Sequence, residues 1–208
     1  MGFPEDLTSA LTGASVYQLR EWRNKGLLIP EVRRLRPPLY SFRDLVAVRA
    51  VVFLRSQVSL QRIGKAFKAL KELDLTDHPS RYAFGVHDKD ISVETADGDI
   101  IDLIGKKGQH NLFRLDQIFR PFENFKGNEV VDFEHPRPNL ELNHGRLGGW
   151  PTITGTRVPY QNVANLLTGG DYSVKDIEAF YPSVSVDAVD DAVSFHEQVK
   201  SLREPMPA

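Results

Sequence analysis

Thr12-Gly13-Ala14-Ser15-Val16-Tyr17-Gln18-Leu19-Arg20-Glu21-Trp22-Arg23-Asn24-Lys25-Gly26 contains the ingredients of two short helices joined by a tight turn. Leu7 to Leu11 form a helical pattern that breaks at Thr12 and Gly13. Ser15 is placed to cap a second helix, whose Leu19 and Trp22 share one face. Gly26 ends that helix, because glycine reaches positive φ without steric cost. Tyr17, Gln18, Arg20, Arg23, Asn24 and Lys25 are side chains able to reach bases or phosphates. A helix-turn-helix needs just such a second helix behind a tight turn, so that it can enter the major groove. The plainer alternative is an amphipathic surface helix with an incidental basic face.

Outward from this stretch, Leu27, Leu28 and Ile29 run into Pro30 and read as a short strand and turn. Arg33 to Pro38 is a basic loop stiffened by Pro37-Pro38. A third helix begins near Ser41 with Asp44 in its first turn, and carries Leu45, Val48, Val52 and Phe53. A fourth restarts after Val58-Ser59-Leu60 with Ile63, Ala66, Phe67 and Leu70 at helical spacing. This order of signals, from Leu7 to about Leu70, resembles the MerR family. The resemblance implies a winged helix-turn-helix, with DNA contacts from Ser15, Tyr17, Gln18, Arg20, Arg23 and Lys25 on the helix, and from Arg33, Arg34, Arg36 and Tyr40 on the wing. Two departures stand out. Pro37-Pro38 replaces the usual aromatic-Arg pair before Leu39-Tyr40, which shifts phosphate contact to Arg33, Arg34 or Arg36. The link between the third and fourth helices is one residue shorter, with Gln57 where glycine is common.

Charge is distributed unevenly along the 208 residues, although the net is only −2. Residues 1–75 hold 13 Lys/Arg against 7 Asp/Glu, a balance of +6; residues 76–138 hold 8 against 12, and residues 139–208 hold 5 against 9, so each is −4. A basic block joined to acidic ones suggests a polyanion at one end and another partner at the other, although ordinary solvated faces give the same tally. With 41% apolar and 26% charged residues the composition is globular. No run of about eighteen apolar residues predicts a membrane span, and the start Met1-Gly2-Phe3-Pro4-Glu5-Asp6 lacks the features of a signal peptide. With no cysteine there is no disulfide or thiol chemistry. A cytoplasmic location is expected.

After Asp74 the pattern changes. Tyr82 to Val93 alternate as strands, and Asp97-Gly98 reads as a hairpin turn into Ile100 to Ile104. Leu112 to Phe119 reads as a short helix, Val130 to Phe133 and Leu140 to Leu142 as strands, and His135 to Pro138 as a boundary. Three helical patterns follow: Tyr160 to Leu167, Val174 to Phe180 and Asp187 to Leu202. The expected class is α+β, in three sections: a winged helix-turn-helix in 1–75, a β-rich linking or dimerisation section in 76–138, and a three-helix, HTH-like domain in 139–208.

The densest signal is Gly148-Gly149-Trp150-Pro151-Thr152-Ile153-Thr154-Gly155-Thr156-Arg157-Val158-Pro159. Thr156-Arg157 presents a guanidinium at a tight turn, and Val158-Pro159 opens a helix, with proline near the first turn as sterics prefer. From Leu140 to about Val199 the chain resembles domain-of-unknown-function family four-three-three. That family is commonly the antitoxin half of bacterial toxin-antitoxin pairs, beside a PIN-like ribonuclease. With the MerR-like front, the whole chain resembles a VapB-type antitoxin. This implies operator DNA and a PIN-like ribonuclease toxin as partners, homodimer formation, repression of its own operon, and toxin contact through Thr156, Arg157 and Tyr160. Arg157 could instead bond helix carbonyls or cap its own turn.

No enzyme is expected, and no cofactor. No two of the six histidines stand at metal-ligand helical spacing. His87, Asp88, Asp90, Asp97, Asp99 and Asp102 read as solvated hairpin turns, and Gly105-Lys106-Lys107-Gly108 lacks the spacing of a phosphate loop. A MerR-like regulator sensing a small ligand, without a toxin, is the alternative function. A protein-interaction scaffold with a degenerate DNA module is the third.

Overall fold

The protein is described from a computed structural model, over residues 2–73, 78–87, 90–94, 98–104, 111–112, 115–170 and 172–203. The class is α+β, with helices and small antiparallel sheets. Four helices come first: α1 (Glu5–Thr12), α2 (Val16–Asn24), α3 (Phe42–Arg55) and α4 (Leu60–Glu72). Between α1 and α2, Gly13 takes φ 75°, and Ser15 caps α2 with a capping box. The Ser15 Oγ accepts from the Gln18 amide at 3.2 Å, and the Gln18 Oε1 accepts from the Ser15 amide at 2.8 Å.

Leu27–Ile29, expected as a strand, is not one. Gly26 at φ 70° turns the chain so that the Gly26 amide donates to Arg23 O and the Leu27 amide to Trp22 O. This is a Schellman closure, which returns the Gly26, Leu27 and Leu28 amides to the last carbonyls of α2 and away from a ladder. The basic loop is pinched by a single bridge, with Arg33 and Leu39 exchanging amide hydrogen bonds at 3.0 and 2.8 Å. Tyr40 pairs through its backbone with Phe3.

α3 is buried along almost its whole length, from Asp44 to Leu54, and packs against α1 and α4. Beyond it lie β1 (Ala83–His87), β2 (Asp90–Glu94), β3 (Ile100–Ile104) and β4 (Asn111–Leu112), an antiparallel sheet in the order β3-β2-β1-β4. Phe67 of α4 stacks on Phe84 of β1 at 5.5 Å. Of the expected helix from Leu112 to Phe119, Leu115–Phe119 is helical (α5) and Leu112 lies in β4, with residues 113 and 114 outside the described residues. β5 (Phe122–Glu123) pairs with β6 (Glu129–Val130), which ends well short of Phe133. β7 (Leu140–Glu141) pairs with β8 (Thr152–Ile153), and α6 (Tyr160–Thr168), α7 (Val174–Phe180) and α8 (Val186–Ser201) complete the chain. Asp88, Asp97 and the segment Gly105–Gly108 lie outside the described residues.

One contiguous core runs from Phe3 to Val199. The C-terminal helices are packed against the N-terminal ones through α1 and α8. Phe3 stacks on Trp150 at 5.4 Å, and Arg203 pairs with the nearly buried Asp6. Gly149 lies against the Phe42 ring, which is edge-on to His144. Arg49 of α3 is fully buried among backbone carbonyls: it donates to Ile118 O, Leu11 O, Phe119 O, Arg120 O and Val131 O. The Phe122 and Phe133 rings lie 5.1 and 5.4 Å from its guanidinium carbon. Burial lowers this guanidinium to about 9, with the charge of Asp132 opposing the shift, so it remains a cation at neutral pH.

Candidate functional site

Two surfaces gather the residues singled out from the sequence. On the first, α2 projects Tyr17, which is 74% exposed, together with Arg20 and Lys25. Ser15 and Gln18 also belong to α2, but their side chains are engaged in the capping box. Arg23 is drawn back: its guanidinium lies 2.5 Å from Glu5 Oε1 and is mostly covered. Glu5 also reaches Arg20 at 3.4 Å, so one carboxylate from the first turn of α1 serves both arginines. Lys25 pairs with Glu21 at 2.5 Å, one helical turn earlier.

In the pinched loop, Arg34 and Arg36 are exposed, while Arg33 Nε donates to Pro37 O at 2.7 Å and so braces the turn. Leu35 between them is 68% exposed. Tyr40 is corrected by the structure: at 1% exposure it is a core side chain, not a surface contact. Burial pushes its phenol up to about 12, against the charge of the neighbouring Arg23.

The second surface is the turn after β8. Gly155, at φ 73°, donates its amide to Glu141 Oε1 at 2.9 Å, and the same carboxylate pairs with Arg146. The Thr156 hydroxyl donates to Ile153 O at 2.9 Å and accepts from the Val158 amide at 3.0 Å. Thr156 therefore caps the turn, the structural task open to Arg157 on sequence grounds. Arg157 is exposed and makes no hydrogen bond or ion pair among the described residues. It borders a groove of about 380 Å³ with Asn143, Gly145 and Arg146. Tyr160, expected beside it at the partner surface, is fully buried and packs edge-on against Phe195 at 5.0 Å. Its ring is taken up by the packing of α6 on α8, which the string Val158-Pro159-Tyr160 does not reveal by itself.

The sequence reading missed one cluster. Glu31, Asp44 and His78 each bring a possible metal-ligand atom within 4.8 Å of the others. Each of their carboxylate oxygens already holds a hydrogen-bond partner. Asp44 Oδ2 accepts from the Ser41 and Glu31 amides, Oδ1 lies 3.2 Å from His78 Nε2, and Glu31 accepts from the Ser41 hydroxyl and Arg43. Their chemistry is that of an extended N-cap, which holds two distant segments to the start of α3. With 46 residues between Glu31 and His78, no local spacing announced it.

These surfaces belong to an α+β protein in which an N-terminal helix pair and basic loop share one core with three C-terminal helices. Residues 140–196 match the family model described as "Protein of unknown function (DUF433)", a little over a quarter of the chain. Comparison with curated proteins and with solved structures returns no match. Among the described residues, no helix is long and apolar enough to cross a membrane.

Proposed function

We propose that the chain is the antitoxin of a type II, VapBC-like toxin-antitoxin pair, a DNA-binding autorepressor that neutralises a PIN-like ribonuclease. Residues 1–75 act as a MerR-like winged helix-turn-helix, with α2 in the major groove of operator DNA and the Arg33–Leu39 loop as the wing. Tyr17, Arg20 and Lys25 face the bases or their flanking phosphates, and Arg34 and Arg36 the phosphate backbone. Residues 139–208 take the toxin, and residues 76–138 link the two ends or pair the chain as a homodimer on a near-palindrome.

The observation that carries this reading is Arg157: an exposed guanidinium on a turn braced by Glu141 and Thr156, with no partner among the described residues. A ribonuclease cleft built of carboxylates is the natural complement of such a planar, two-pronged cation. The basic first section supports the DNA half of the reading.

The test of the DNA half is a fluorescence anisotropy titration of the full chain on the DNA upstream of its own gene, at several salt concentrations. Affinity falls steeply with salt, because each neutralised phosphate releases about 0.9 counterion. Arg34→Ala and Arg36→Ala each reduce the slope by about one. No binding at low salt would sink the regulator reading. A second reading, a MerR-like regulator of a small ligand without a toxin, draws support from a large cavity beside α2.

A further inference from the structure

We infer that the cavity between the C-terminal end of α2 and one face of α4 is a binding site for a small apolar molecule that carries an anionic group. This holds whether or not the chain meets a toxin. The cavity encloses about 1100 Å³, room for a ligand of drug size. Its walls are the Schellman turn at Gly26–Ile29, the α4 face that includes Phe67 and Leu70, and the N-cap cluster around Asp44 and His78. Trp22 forms part of the wall, and its indole N–H is buried without a hydrogen-bond partner among the described residues.

Two features point to an occupant. Gly64 sits in the middle of α4, where glycine costs about 1 kcal/mol relative to alanine. Among the described residues nothing demands it: a Cβ there would meet no atom within 4 Å, and its φ is not positive. Its absent side chain leaves a recess in the cavity wall. The second feature is charge. Of the carboxylates on the lining, Glu31 is held by Arg43 and Ser41, and Asp44 by backbone amides and His78. Lys25 and Lys68 are paired only with Glu21 and Glu72, each one turn away on its own exposed helix face. Such pairs are worth a few tenths of a kcal/mol and yield readily to a ligand anion. The net charge offered to an occupant is therefore positive, above an apolar floor.

The probe is the apolar sulfonate 8-anilino-1-naphthalenesulfonate, titrated into the full chain at neutral pH, with quenching of indole emission as a second readout because Trp22 lines the site. One saturable site is expected, and the uncharged N-phenyl-1-naphthylamine binds about tenfold more weakly, the factor for one lost ionic contact. Gly64→Phe fills the recess and weakens both dyes about tenfold or more. Lys68→Glu, a substitution on an exposed face, weakens the sulfonate alone and serves if Gly64→Phe fails to fold. Absence of saturable binding, unchanged sulfonate binding by well-folded Gly64→Phe, or equal affinity for charged and uncharged dyes would each overturn the inference.

Discussion

Replacing Arg49 by methionine removes the polar group that ties α3 to the middle of the chain, and the cost follows from its partners. Five carbonyls accept from the guanidinium, and of these Phe119 O also accepts from the Phe133 amide at 2.7 Å. The other four belong to backbone that methionine cannot satisfy. Hydrogen bonds to a charged group contribute about 1.5–3 kcal/mol each, and burying the guanidinium costs several kcal/mol in return. A net loss of about 3–5 kcal/mol is expected, the range seen when a buried polar network loses a member. At about 2–3 kcal/mol per molar urea for a chain of this size, the unfolding midpoint falls by about 1–2 M. Arg49→Lys keeps the charge but has only three donors and no planar fork, so it too loses at least about 2 kcal/mol. Urea denaturation followed by circular dichroism and by indole fluorescence reads both effects. A loss below about 1 kcal/mol for both variants would refute the clamp, because ordinary surface substitutions stay within about 0.5 kcal/mol.

Further outcomes follow from the same geometry. Gly149→Ala forces a left-handed φ on alanine and drives its methyl into the Phe42 ring, which His144 and Phe133 confine; about 2–4 kcal/mol of stability is lost in denaturant melts. Ser15→Ala opens the capping box and costs about 1 kcal/mol, read as a lower thermal midpoint with the helix otherwise retained. Burial, helped by Arg203 and Lys200, lowers the His196 imidazole below its usual value despite Glu197 and Asp6. The unfolded chain then binds a proton that the folded chain refuses, so this contribution is complete above about pH 6.5 and declines as pH falls through the window towards the folded value. His196→Gln should flatten the acid side of the stability profile, and an unchanged profile would contradict that assignment.

Much of the helical framework was legible in the sequence because its signals are local. Ser15, Ser41 and Ser173 each cap a helix where a hydroxyl precedes an apolar period, and all three carry capping boxes. The strands Ala83–His87, Asp90–Glu94 and Ile100–Ile104 fall in the stretches that read as strands. What escaped was non-local. Leu27–Ile29 has strand composition, but the Leu27 and Leu28 amides are claimed by Trp22 O at the end of α2. Tyr40 and Tyr160 carry polar tips that invite a surface reading, yet both rings are in the core. Glu5 lies fifteen residues before Arg20, so its hold on two candidate DNA contacts was invisible. Arg49 could have been found. A lone cation inside Leu45-Val46-Ala47-Val48-Arg49-Ala50-Val51-Val52 leaves no polar face to expose it, so it must be buried and bonded.

The central claim is tested most directly by binding between the full chain and the product of the gene beside its own, the expected PIN-like ribonuclease. Isothermal titration gives the affinity, and co-expression shows whether growth is protected. A stable complex and full protection by the natural chain are expected. Arg157→Ala, shown by circular dichroism to be folded, should weaken the complex by about 2–5 kcal/mol, roughly thirtyfold or more. No complex between the natural chain and that ribonuclease would contradict the antitoxin reading, and undiminished affinity of the folded variant would remove Arg157 from the interface.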